Sequence, residues 1–141
     1  MMILDTNVVS ALMHETGHPA VVAWLDRQPR ISVWTTSVTA MEVRYGIEAL
    51  ATSRRRSRLL HAWQRLVSEL LENRIAAFDT SAAEATAMLM AERRRSGRPG
   101  DLRDAMIAGV VVANHAMLAT RNTRHFADLP VSVVDPWQAD Q

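Results

Sequence analysis

Four carboxylates and one amide stand where an α/β chain concentrates its chemistry. Asp5 follows the short apolar run Ile3-Leu4 at once. Glu42 comes behind the β-branched and aromatic stretch 31–35 and closes the pattern Thr39-Ala-Met-Glu42. Asp101 and Asp104 open an apolar helical stretch after the loop Ser96-Gly-Arg-Pro-Gly100, and Asn122 sits just past the apolar run 117–120. In an open parallel sheet the carboxyl ends of the strands and the starts of the following helices share one edge. Side chains remote in sequence are therefore candidates to meet in one cleft. Carboxylates gathered there repel one another, which raises some of their pKa values unless a cation joins them. An all-oxygen donor set in a chain without cysteine selects Mg2+ or Mn2+ rather than zinc. Such an ion activates water and stabilises the charge of a phosphodiester transition state. The plainer account is that each acid caps a helix or answers its dipole, worth about 0.3–1 kcal/mol apiece. That account is weakest for Asp5, because a carboxylate ending an apolar strand is costly to bury unpaired.

The elements that must position these groups follow from patterning. Thr6 and Asn7 are both able to cap a helix over 8–13. Gly17-His18-Pro19 breaks the chain, and Pro19 suits the first turn of a helix running to about Arg27. Residues 31–35 read as a strand, and Thr39-x-x-Glu42 as a capping box opening a helix towards Leu50. Leu59, Leu60, Trp63, Leu66, Val67, Leu70 and Leu71 repeat at the 3.6-residue period of a helix with a charged opposite face over 53–72. Further strands are predicted at 75–78, 117–120 and 131–134, with helices over 81–95 and 101–113. Short apolar strands alternating with helices define an α/β class with a central parallel sheet covered on both faces. No boundary, repeat or low-complexity tract divides the 141 residues, so a single domain is expected.

Composition narrows the partners. Sixteen basic residues, every one Arg, oppose 15 acidic ones for a net charge of +1. That balance excludes a highly basic nucleic-acid tail or a disordered polyacid as the whole molecule. The lack of cysteine excludes disulfide scaffolds, thiolate metal sites and cysteine nucleophiles. The most apolar stretch, 105–113, is about half a membrane span. The opening Met-Met-Ile-Leu-Asp lacks the basic region of a secretory leader. A cytoplasmic protein without membrane contact is the expectation.

Five segments, in order, match a known pattern. Met2-Ile-Leu-Asp-Thr-Asn-Val-Val-Ser10, Thr39-Ala-Met-Glu-Val-Arg-Tyr-Gly46, Asp104-Ala-Met-Ile-Ala-Gly109, Leu118-Ala-Thr-Arg-Asn-Thr-Arg-His-Phe126 and the tail Val133-Val-Asp-Pro-Trp137 resemble PIN-domain ribonucleases. The likeness is to VapC-type toxins of toxin–antitoxin pairs, and the tail to their FitB-like branch. The resemblance spans nearly the whole chain. It implies a three-layer α/β/α sandwich, a homodimer, Mg2+- or Mn2+-dependent cleavage of RNA by an ion-activated water, and inhibition by a small cognate antitoxin. Carried over residue by residue, Asp5, Glu42 and Asp104 become the metal-binding and catalytic carboxylates. Asn122 occupies the place of a fourth acid or Asn and brings no charge. Asp101, a turn before Asp104, either supplies that charge or simply caps. Thr6 is a hydroxyl donor to a carboxylate or phosphate, or a helix cap. Arg121, beside Asn122, is the expected substrate contact.

Rival readings remain at this level. One is a PIN-like module that binds RNA or a partner without cutting, and another is a housekeeping nuclease of the same chemistry. His14-Glu15-Thr-Gly-His18 spells the His-Glu-x-x-His of zinc metallopeptidases, but that chemistry needs both His on one face of a continuous helix, and Gly17 and Pro19 interrupt it. Arg54-Arg-Arg-Ser-Arg58 reads as a solvated helix face. The second cluster, Arg93 to Arg98, fits a phosphate contact and a solvated face equally. Trp24, Trp34, Trp63 and Trp137 do not interleave with a basic run, and so read as core or interface residues rather than base platforms.

Overall fold

The computed structural model describes residues 1–139. Its centre is β1 (Met2–Leu4), three apolar residues all buried, as a strand covered on both faces requires. β2 (Val33–Thr36) and β4 (Met117–Ala119) flank it, and β3 (Ile75–Ala76) and β5 (Val133–Val134) form the edges. The order is β3-β2-β1-β4-β5 and every pairing is parallel. Ile3 lies opposite Trp34 on one side and Leu118 on the other. The Thr35 hydroxyl, fully buried, donates to the Leu4 carbonyl at 2.8 Å.

Helices cover both faces. α1 (Thr6–Met13), α2 (Pro19–Asp26), α3 (Ser37–Glu48) and α4 (Arg54–Arg65) bury Val8, Val9, Val21, Trp24, Val43, Ile47 and Trp63 against Met2, Leu4 and Val33. α4 runs on into a π-helical turn, Leu66–Leu70. α5 (Thr80–Arg95) and α6 (Leu102–Ala113) bury Ala82, Ile107, Ala108, Val110 and Val111 against Ile3 and Leu118. Met2 and Leu4 thus face one core and Ile3 the other, the period-2 alternation of a strand. The expected three-layer α/β/α sandwich with a central parallel sheet is what forms. Among the described residues no helix is long and apolar enough to cross a membrane.

Two caps differ from expectation. Asp5, not Thr6 or Asn7, caps α1, its Oδ1 accepting the Thr6 N–H at 2.8 Å. α3 starts at Ser37 behind Thr36, whose hydroxyl accepts the Thr39 N–H at 3.0 Å, so Thr39 is inside the helix and Glu42 lies in its second turn rather than its first. The strands are shorter than apolar runs suggest. Residues 30–32 coil into a 3-10 turn closed by Ser32 N–H on the Pro29 carbonyl, and Phe78 N–H turns to the Ser37 hydroxyl instead of a ladder.

α5 and α6 approach unusually closely at Gly109. A Cβ there would stand 1.8 Å from Thr86 Oγ1 and 2.6 Å from the Ala82 carbonyl oxygen. The Thr86 hydroxyl itself donates to Ala82 O at 2.7 Å. This contact fixes the axis of α6 and therefore where its first turn points. Strand order reverses between β1 and β4: the chain winds outward from β1 through β2 to β3, then returns to β4 on the other side. The crevice at such a reversal, outside the carboxyl ends of the strands, is where open α/β sheets bind ligands.

Candidate active site

Asp5 ends β1 in that crevice and is only 3% exposed. Both of its oxygens are held: Oδ1 by the Thr6 N–H, and Oδ2 by the Thr120 hydroxyl, which donates at 2.7 Å from the end of β4. The Asp5 N–H bonds the Ala119 carbonyl at 2.9 Å, so acid and neighbouring strand move as one. Burial pushes the Asp5 carboxyl above the usual carboxylate range. Its hydrogen bonds from Thr120 and Thr6 oppose that, and the negative charges of Asp104 and Glu42 add to it. All three carboxylates therefore share one electrostatic environment.

Glu42 reaches the crevice from α3. Its Oε1 accepts from the Thr6 hydroxyl at 2.9 Å, and Thr39 Oγ1 stands 3.0 Å from the same hydroxyl. With the Thr6 proton committed to Glu42, Thr39 donates to Thr6, a relay that fixes the carboxylate. Thr6 thus serves Glu42 with its side chain while Asp5 does the capping. On its far side Glu42 Oε2 is 3.6 Å from Arg103 Nη1.

Asp104 lies in the first turn of α6 and is partly exposed, with Oδ2 3.1 Å from His125 Nδ1. Asp101 is the N-cap of α6: its Oδ1 accepts from the Arg103 and Asp104 N–H groups at 2.9 and 3.2 Å. Capping occupies one oxygen of Asp101, and more than half of its side chain faces solvent. Asn122 is exposed, and its side chain bonds no described residue. Its backbone N–H donates to Thr120 Oγ1 at 3.0 Å, tying the turn to the Asp5 hydroxyl partner. Among the described residues, no three acidic or histidine side chains converge closely enough as they stand to hold an ion. The Arg103 guanidinium stands beside Glu42 and the His125 imidazole beside Asp104 instead.

At the rim, the Arg121 backbone N–H donates to Asn7 Oδ1 at 3.1 Å, and the Arg121 guanidinium lies 4.9 Å over the Trp137 ring. Trp137 in turn donates from Nε1 to His18 Nδ1 at 3.4 Å. The other tryptophans lie where patterning put them: Trp24 and Trp63 in the core and Trp34 packed against it. The second Arg cluster divides. Arg93 is buried and forks onto Asp128 at 2.9 and 3.0 Å while donating to the His125 carbonyl at 2.8 Å, and so anchors the 3-10 turn Thr123–Phe126. Asp128 is held below the usual carboxylate range by that guanidinium.

The metallopeptidase geometry is absent. α1 stops at Met13, Gly17 takes φ +65°, and His18 precedes α2. His14 and His18 therefore flank a turn, their ring centroids 5.8 Å apart, and Glu15 pairs with Arg58. An open groove of about 1200 Å3 runs beside them along α4, lined by His14, Arg55, Arg58, His61 and Arg65, and holds none of the crevice acids. That groove is open to solvent, and its carboxylates Glu15 and Glu69 stand among arginines rather than beside a buried acid.

The chain belongs to the PIN-domain family, whose pattern matches residues 2–131. It is 33% identical over 138 residues to the VapC ribonuclease Y4jK of Sinorhizobium fredii, covering 98% of this chain and 99% of that protein. Toxin FitB of Neisseria gonorrhoeae is 29% identical, covering 97% of this chain and 99% of its own. The crystal structure of FitAcB from that organism superposes with a TM-score of 0.88 at 29% identity over 98% and 99% of the two chains. A toxin–antitoxin complex from Klebsiella pneumoniae contains a chain that superposes with a TM-score of 0.70 at 26% identity, over 96% of this chain and 98% of that one.

Thr120, Thr39, Asn7, Arg103 and His125 complete the surroundings of the three acids; the sequence offered Asn7 and Thr39 only as helix caps and none of the five as a site residue. Thr120 carried a signal, as a short polar side chain at the end of an apolar strand, and Asn7 another, as an amide in the first turn of the helix behind β1. Arg103 and His125 carried none, because ion pairs across elements depend on where helices start.

Proposed function

We propose that this chain is the toxin of a type II toxin–antitoxin pair, an endoribonuclease that hydrolyses RNA phosphodiester bonds with Mg2+ or Mn2+ held by Asp5, Glu42 and Asp104. One observation carries the reading: Asp5 at the β1/β4 reversal, pinned at both oxygens, its carboxyl raised by burial first and then by the charges of Asp104 and Glu42. The donor chemistry fits a hard divalent cation. All donors are carboxylate oxygens, they repel one another, and Arg103 beside Glu42 and His125 beside Asp104 are solvent-exposed side chains able to yield. When bound, the ion supplies a water of lowered pKa and Lewis-acid stabilisation of negative charge.

The protein's own groups do the positioning. Thr120 and the Thr6 amide lock the Asp5 rotamer, and the Thr39–Thr6 relay orients Glu42. Arg121, stacked on Trp137, places a fixed guanidinium at the rim for a backbone phosphate. Asn122 offers a neutral amide to a water or phosphate, and Asp101 acts as the cap. A small cognate antitoxin, a homodimeric state and a cytoplasmic location belong to the same reading.

Asp5→Asn, Glu42→Gln or Asp104→Asn, or added chelator, is expected to reduce RNA cleavage at least about a hundredfold while circular dichroism stays unchanged. Cleavage that survives these changes rejects the mechanism. The pairing of Glu42 with Arg103 and of Asp104 with His125 favours the second reading, a non-catalytic module. That reading gains if the chain binds no Mn2+ at millimolar concentration and leaves cell growth unaffected when expressed without its partner.

A further inference from the structure

Arg103 stands on α6 between two acids of the crevice. Its Nη1 lies 3.6 Å from Glu42 Oε2 and its Nε 4.0 Å from Asp101 Oδ1, and half of its side chain faces solvent. Both separations exceed hydrogen-bond length. Among the described residues these are its only side-chain ion partners. Contacts this long and this wet hold a guanidinium weakly. Its location is also unexplained by the helix that carries it. Arg103 lies in the first turn of α6, where the exposed N–H groups make a cation unfavourable. A residue placed against a local rule points to a task elsewhere.

We infer that Arg103 is a substrate-binding residue with two positions: on Glu42 while the crevice lacks a divalent ion, and on a phosphate of the RNA backbone when the ion holds Glu42. This rests on the nuclease reading above. The ion and the guanidinium seek the same carboxylate, so each weakens the other's hold. Displaced from Glu42, Arg103 is left beside Asp104 on a long, flexible stem. Its planar fork matches two phosphate oxygens at once. Arg103 is carried by α6 beside Glu42, and Arg121 by the turn after β4 beside Asn7 and Trp137, so the crevice has a guanidinium from each of two elements to offer an RNA strand.

The test uses the full chain and Arg103→Gln, with two measurements whose expected changes have opposite sign. Calorimetric titration of the RNA-free protein with Mn2+ is expected to show three- to tenfold tighter binding in the variant, because the competing cation has gone. Steady-state cleavage of a single-stranded RNA at saturating Mn2+ is expected to show kcat/KM lower by about tenfold, mostly through KM, with the slope of log kcat/KM against log salt smaller by about 0.7. Arg103→Lys keeps the charge without the fork, and is expected to fall between the two in both measurements; it also serves if Arg103→Gln does not fold. Unchanged or weaker Mn2+ binding, or an unchanged KM and salt slope, overturns the inference. If the unsubstituted chain cuts RNA and the variant equals it, Arg103 alone is misassigned. If the unsubstituted chain binds Mn2+ but cuts no RNA, or binds no Mn2+, the nuclease reading fails and this inference fails with it.

Discussion

Burial holds the carboxyl of Asp5 above its ordinary value of 3.8, and its two short hydrogen bonds restore it only in part. The consequence for stability has a definite sign. At pH well below that value the group is protonated in folded and unfolded chains alike, and the strain is absent. As pH rises the unfolded chain ionises first, and the folded chain loses stability until Asp5 ionises too. In chelator at neutral pH, Asp5→Asn is therefore expected to melt a few degrees higher than the unsubstituted chain, with the gain vanishing as pH falls below the carboxylate range. A variant that melts lower at neutral pH in chelator would show that the hydrogen bonds outweigh the burial. Asp5 itself was legible in the sequence, since a carboxylate directly behind an apolar strand has few structural uses. Its supports were less so. Thr120 is an ordinary strand-end threonine until the register with β1 places its hydroxyl 2.7 Å from an acid 115 residues away.

Caps and close approaches set where each element delivers its acid. The alternation of strands and helices was legible because apolar periodicity reports which face is buried. The starts of α1 and α3 were not, because Asp5, Thr6, Asn7, Thr36 and Thr39 are all competent caps and only tertiary position chooses among them. α6 shows the effect of packing on the site. Its Gly109 allows Thr86 of α5 to lie against it, and Gly109→Ala would force the two helices apart. That substitution is expected to cost about 3 kcal/mol or more of stability, read by urea unfolding, with cleavage falling further because Asp104 shifts with the helix. A loss below about 1 kcal/mol would mean that α5 yields easily. Arg93, by contrast, read equally well as a surface cation from sequence. Its burial against Asp128 and the His125 carbonyl follows from the return of the chain after β4, which no local pattern encodes.

The whole molecule places every candidate acid at one edge through the order β3-β2-β1-β4-β5. Carboxylates that share one crevice predict linkage to divalent cations. Mn2+ at about 100 times its Kd is expected to add ~2.7 kcal/mol, roughly 5–10 °C in Tm, and to leave Asp104→Asn nearly unmoved. Equal shifts in both proteins would place the ion elsewhere. Fold class and family were legible because they rest on patterns repeated along the whole chain. The pairing of Glu42 and Asp104 with Arg103 and His125 was not, since it depends on side-chain reach across the crevice.

The central place of β1 has a consequence in time. Asp5 is made more than a hundred residues before the carbonyl of Ala119 and the hydroxyl of Thr120 that hold it. At about 5–20 residues per second, the acid waits several seconds for its partners. On the nuclease reading proposed above, a nascent chain would cut no RNA until β4 is made, and a cognate inhibitor would have that interval in which to meet it.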